Sequence, residues 1–223
     1  MSLRSQIGHR AQRTGLYAES KESNWTNFDP FDAALDKAYF NKYWEKLNQD
    51  KKDFIVFSEQ TNDKFVMPIN ESDIQTAFKK IPKEFLNELK GVVLLAGSGK
   101  QANTSSSKLF CYGCYCYGVI FIFPFPKSEM YSVSKTLPPP HIQREFERAG
   151  IKYEFRDKKW HKEFSLSSLH QFYLNDVLMH ELGHHVDRGN KKTHEKSERY
   201  AEWFAMEYGF RLKKEHPQVK SSD

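Results

Sequence analysis

The segment Leu174–Arg188 reads LNDVLMHELGHHVDR, with H-E-x-x-H spelled by His180-Glu181-Leu182-Gly183-His184 at its centre. On a helix, residues four apart lie one above the other on the same face. Both imidazoles can then each give a nitrogen to one Zn²⁺, with Glu181 one step round and within reach of a water at the metal. Leu169, Phe172, Tyr173, Val177, Leu178 and Leu182 leave little of this helix polar, so it is expected to be buried on most sides. Polar groups inside such a helix need partners, and a metal would provide them.

A tetrahedral catalytic site needs a third protein ligand and an open position. The next helix, from about His194 to Lys213, offers His194, Glu198 and Glu202. The short connection at 189–192 predicts an antiparallel helix hairpin. At ~1.5 Å rise per residue, His184 and Glu198 both fall roughly 6–8 Å from the turn, hence nearly level. That favours Glu198. Glu202, one turn along and level with His180, is placed to accept the other N–H of a ligating histidine. His194 and Glu202 stay as alternatives for the third ligand.

His180-Glu181-x-x-His184 followed by Glu198-Arg199-Tyr200-Ala201-Glu202 resembles the gluzincin metallopeptidases, the thermolysin-like branch of the zincins. The segment Glu198-x-x-Ala201-x-x-Phe204-Ala205 is also similar to a signature of small bacterial and phage metallopeptidases that cleave repressors. The resemblance implies zinc ligands at His180, His184 and Glu198, a base at Glu181 and a supporting carboxylate at Glu202. It also implies a zincin-like α+β fold, in which a twisted mixed sheet precedes the metal helix and a later helix brings the third ligand. The metzincin pattern fails, because Asp187 and Asn190 stand where its Gly and third His belong. The resemblance covers about 30 residues, so it speaks to a site and a core rather than a substrate.

The rest of the chain fits that reading. Its 223 residues suffice for a proper core, and 39% hydrophobic with 28% charged is a globular composition. No apolar run approaches the length of a membrane span and no secretory h-region opens the chain, so a soluble, cytoplasmic protein is expected. A net charge of +5 without a long basic run argues against nucleic acid as a partner; a protein or peptide substrate is expected, and the oligomeric state is open. Residues 1–28 read as a loosely ordered arm and 29–223 as one domain.

Helical spacing covers Phe31–Leu47, while Asp53–Ser58 and Lys64–Ile69 read as strands around a polar turn. Two short helical pieces follow between Ser72 and Lys90, the first capped by Ser72, and then a buried strand at Gly91–Ala96. Gly97-Ser98-Gly99-Lys100 is a turn, since Leu94 and Gln101 break the phosphate-loop pattern. Leu109–Phe125 is the most strand-like stretch, and Gly118–Phe123 within it is the candidate edge strand for pairing with an extended peptide. Cys111, Cys114 and Cys116 lack an evident fourth metal ligand and read as small apolar core residues. His141–Ala149 reads as a helix and Ile151–Phe155 as a strand, with Ser167 or Ser168 capping the metal helix.

The expected function is hydrolysis of peptide bonds at zinc, with Glu181 as general base. Tyr173, Tyr208, His185 and His194 are each candidates to stabilise the oxyanion, and the sequence does not choose among them. Two rival readings are a non-catalytic zinc-containing regulatory or binding protein, and a nucleic-acid-associated protein with zinc at the cysteines. A base at Glu181 argues against the first.

Overall fold

The computed structural model describes residues 43, 45–47, 54–97, 112–116, 118–138, 140–188 and 194–211. The arm at 1–28, most of the helix expected from Phe31, residues 98–100 of the expected turn, and Cys111 lie outside them. Among the described residues, three sheets and five helices make a mixed α+β fold. The central sheet holds β1 (Ile55–Ser58), β3 (Gly91–Leu94), β4 (Gly113–Cys116) and β5 (Val119–Ile122) in the order β1-β3-β5-β4. β1, β3 and β5 run parallel, and β4 returns antiparallel to β5. A strand covered on both faces reads as a continuous apolar run, which is why GVVL and VIFI form β3 and β5, every residue of them buried.

The strand expected at the edge is an interior one. Gly118–Phe123 supplies β5, which lies between β3 and β4 with both its neighbours in place. An interior strand has its ladder groups already paired and offers no edge to a peptide. Among the described residues the outermost strand on that side is β4. Gly118, at φ +88, makes the turn between the two; a Cβ there would be strained and would stand 2.9 Å from the Glu88 carbonyl oxygen.

The segment at 64–69 contributes only β2 (Phe65–Val66), and it pairs with β6 (Phe125–Pro126) instead of folding back on β1. Helix α1 (Glu71–Phe78) starts two residues earlier than a cap at Ser72 would set it, because Asn70 is the cap and forms a reciprocal capping box with Asp73. A third sheet, in the order β7-β9-β8, is built from β7 (Tyr131–Ser134), β8 (Lys152–Arg156) and β9 (Lys159–Glu163). Its β8–β9 hairpin turns on Asp157 and Lys158, both at positive φ, as a two-residue primed turn requires. Helix α2 (Pro140–Arg148) precedes this hairpin. Lys162 of β9 lies over the rings of Phe146 and Phe164, 5.0 and 4.9 Å from their centroids.

Helix α3 (Leu166–Phe172) is capped by Ser165, whose side chain accepts from the Ser168 backbone N–H while Ser168 reaches back. It continues through a π-helical turn, Tyr173–Val177, into α4 (Leu178–Val186), which carries H-E-x-x-H. Helix α5 (His194–Phe204) ends in a second π-helical stretch, Ala205–Arg211. Helix α4 packs on β4 and β5 with one side and on α5 with another. Leu178 and Leu182 are fully buried between these layers. No helix among the described residues is long and apolar enough to cross a membrane.

Candidate metal centre

Two glycines set how closely α5 approaches the metal helix. A Cβ on Gly183 would stand 2.7 Å from the Cα of Ala201, and one on Gly209 would stand 1.9 Å from the carbonyl oxygen of Asn175. Chain positions rise from 175 to 183 as their partners fall from 209 to 201, so the two helices are antiparallel, as the short connection predicts. Ala201 is fully buried at the crossing. One turn before it on α5, Glu198 is brought against the histidine face of α4.

The three expected ligands come together. His180 Nε2 lies 3.4 Å from one Glu198 carboxylate oxygen and His184 Nε2 lies 3.5 Å from the other. One donor atom from each residue falls within 4.8 Å of the other two. Donors at ~2.0–2.1 Å from a tetrahedral zinc are separated by ~3.3–3.4 Å; each histidine–carboxylate spacing is close to that, to a different oxygen of Glu198 in each case, and the donor set as a whole is wider. The imidazole rings of His180 and His184 are 4.8 Å apart and nearly perpendicular, which lets two nitrogens converge on one point. Glu198 is 1% exposed and faces both rings. A buried carboxylate against two imidazoles has the chemistry of a His₂Glu metal site.

Ser197, which no sequence pattern singles out, is a partner of one candidate ligand ring. His184 Nδ1 lies 3.2 Å from Ser197 Oγ, leaving Nε2 turned to the cluster. Glu202 is exposed one turn beyond Glu198, where its charge bears on Asp176 and Glu145. Position 194 is helical, but the side chain of His194 lies outside the described residues.

Glu181 is 3% exposed, and its neighbour is the β4 backbone. A Cβ on Gly113 would fall 3.0 Å from Glu181 Cγ and 3.4 Å from its Oε1. His185, one of the expected oxyanion donors, is fully buried and held between Tyr115 and Asn87. Its Nε2 lies 2.9 Å from the Asn87 carbonyl oxygen and its Nδ1 3.1 Å from the Tyr115 hydroxyl. Burial pushes it down to about 4, so it is a neutral ring that donates to Asn87 and accepts from Tyr115. Tyr173 is fully buried against Tyr112 and Phe172. Tyr208 packs among Phe85, Trp203 and Phe204.

Of the three candidate ligands His180 is the one with some exposure, its side chain 14% accessible. Burial alone would lower it. The Glu198 hydrogen bond and the charges of Glu181, Glu198 and Asp176 outweigh that and hold it up at about 9. Asp176 lies one turn before His180 and is paired with Arg148 of α2 at 3.7 Å. Burial raises its carboxyl above the usual range. Glu145, also on α2, is pushed up to about 7 by burial and then by Asp176 and Glu202. The surroundings of His180 are thus rich in carboxylates, which favours a cation at the cluster.

Cys114 and Cys116 are buried in β4, and the only group of metal-ligating side chains found among the described residues is His180, His184 and Glu198. Compared with known protein families, curated proteins and solved structures, the chain matches none.

Proposed function

We propose that the protein is a zinc metallopeptidase of gluzincin type with a zincin-like fold. The observation that carries this reading is that His180, His184 and Glu198 bring one donor atom each within 4.8 Å of one another, with Glu181 buried next to the first of them. A structural zinc has no use for a base beside it, and two histidines with one carboxylate is a ligand set that leaves a fourth position open. A mixed sheet ahead of the metal helix, with an antiparallel strand alongside it, supports the fold assignment.

Zinc in such a site supplies Lewis acidity, polarising a carbonyl and acidifying a water. The chain's own residues do the remainder. Glu181 accepts the proton of the attacking water on its carboxylate and returns it to the leaving amine as the C–N bond breaks. Ser197 holds His184 in the tautomer that presents Nε2. The substrate class is a peptide or unfolded protein segment.

The test is cleavage of unstructured casein by zinc-loaded protein, with Glu181→Gln as the control. Cleavage that disappears in Glu181→Gln while zinc stays bound supports the reading. Zinc binding with no difference between the two proteins would leave the non-catalytic alternative, a zinc-containing regulatory or binding protein.

A further inference from the structure

Strand β4 touches the metal helix at two places, and their spacings match. Gly113 lies against Glu181, and Tyr115 is bound to His185. Two residues of strand advance ~6.6–6.8 Å, and four residues of helix advance ~6 Å. Strand and helix therefore stay in step from the first contact to the second. Residues 113 and 115 point to the same side of β4, the side that meets α4.

Each contact restricts β4 differently. At Gly113 the restriction is steric: an added Cβ would stand 2.8 Å from Val177 Cγ1 and 3.0 Å from Glu181 Cγ, closer than such atoms approach without a shift. At Tyr115 it is a chain of hydrogen bonds. The Tyr115 hydroxyl donates to His185 Nδ1 and accepts from the Gly118 backbone N–H at 3.0 Å, while His185 Nε2–H donates to Asn87. Arg188 adds bonds to the carbonyls of both His185 and Asn87, at 2.9 and 3.2 Å. The ring of His185 is thereby fixed between Tyr115 and Asn87, and Tyr115 with it.

The geometry points to Gly113 and Tyr115 as positioning residues for the base: strand β4 acts as a template that aims the Glu181 carboxylate at the metal position. This rests on the metallopeptidase reading and deepens it. A second glycine provides the contrast. Gly183 abuts the backbone of Ala201, so enlarging it moves α5 and with it the ligand Glu198. Enlarging Gly113 moves a side chain that is not a ligand. One glycine governs metal affinity, the other the base.

The experiment uses cobalt-loaded full-length protein and acetohydroxamate as the probe, followed by visible absorption. A hydroxamate chelates the metal through two oxygens and shares its proton with a carboxylate beside it, so its affinity reports where Glu181 points. Glu181→Gln is the reference, Gly113→Ala the steric variant, and Tyr115→Phe a variant that adds no volume and removes only the hydroxyl. The expected result is cobalt affinity within about threefold of wild type in all three. Hydroxamate affinity should fall about tenfold in Glu181→Gln and Gly113→Ala and severalfold in Tyr115→Phe, the scale of one hydrogen bond to a charged group. Gly183→Ala should instead lose cobalt affinity. Wild-type hydroxamate affinity in both Gly113→Ala and Tyr115→Phe, with Glu181→Gln weakened, overturns the inference alone. Cobalt loss in those two variants as large as in Gly183→Ala also overturns it, since the contacts would then be general packing. A wild-type chain that binds no cobalt overturns the metallopeptidase reading itself, and the inference with it.

Discussion

Ser197 Oγ lies 3.2 Å from His184 Nδ1, and the next residue, Glu198, lies 3.5 Å from the other nitrogen of the same ring. Helix α5 thus holds one imidazole at both nitrogens, using two consecutive side chains. Removing the hydroxyl frees the ring to rotate and lowers its basicity. Ser197→Ala is expected to weaken zinc binding by about 10–100-fold, read by competition with a chromophoric chelator. Unchanged affinity would mean that the ring is held by packing alone.

Close approach of α4 and α5 has its own cost if disturbed. Gly183→Ala puts a methyl 2.7 Å from the Ala201 Cα and 3.0 Å from Phe204 Cβ, and backbone cannot swing aside as a flexible side chain can. Overpacking of this kind destabilises by ~1–3 kcal/mol. Urea unfolding of the metal-free variant should show that loss, and zinc should restore less stability to it than to wild type. Equal stabilisation by zinc in both proteins would contradict the link between this contact and Glu198.

The acid groups around His180 predict a pH dependence of definite sign. Glu145 sits at about 7 in the folded protein against an ordinary 4.5, chiefly because of burial. A carboxyl raised by folding binds more protons folded than unfolded, so its contribution is lost as pH rises from about 4.5 through about 7. Glu145→Gln should therefore raise the urea midpoint of the metal-free protein at pH 8 and change it little at pH 4.5. His185 acts in the opposite sense. Burial holds it down at about 4 against 6.5, so the stability it permits is present above 6.5 and lost as pH falls towards 4. A gain from Glu145→Gln of the same size at both pH values would contradict this account of the site.

How much of this the sequence showed depends on which side chains carry a local signal. H-E-x-x-H and the hairpin levels brought His180, His184 and Glu198 together on paper, because helix rise and a short turn leave little freedom. Continuous apolar runs likewise marked β3 and β5. Position in the sheet was a different matter: VIFI reads the same whether β5 is an edge or an interior strand, since burial on both faces comes from partners remote in sequence. Strands β7 and β9, YSVS and KWHKE, are too polar to betray themselves, and they exist because they pair with each other and with β8. Ser197 was visible beside Glu198 but lacked any pattern to distinguish it from a solvated helix residue. Glu145 and Arg148 reach His180's surroundings from α2, on the far side of a hairpin, which no spacing rule could reveal.

The most direct test is the zinc content of the purified chain by elemental analysis, for wild type, Glu181→Gln and Glu198→Ala. One zinc per chain in wild type and Glu181→Gln, with loss of most of it in Glu198→Ala, is the predicted result. No zinc in the wild-type chain after zinc is added to apoprotein, or full retention in Glu198→Ala, would contradict the site.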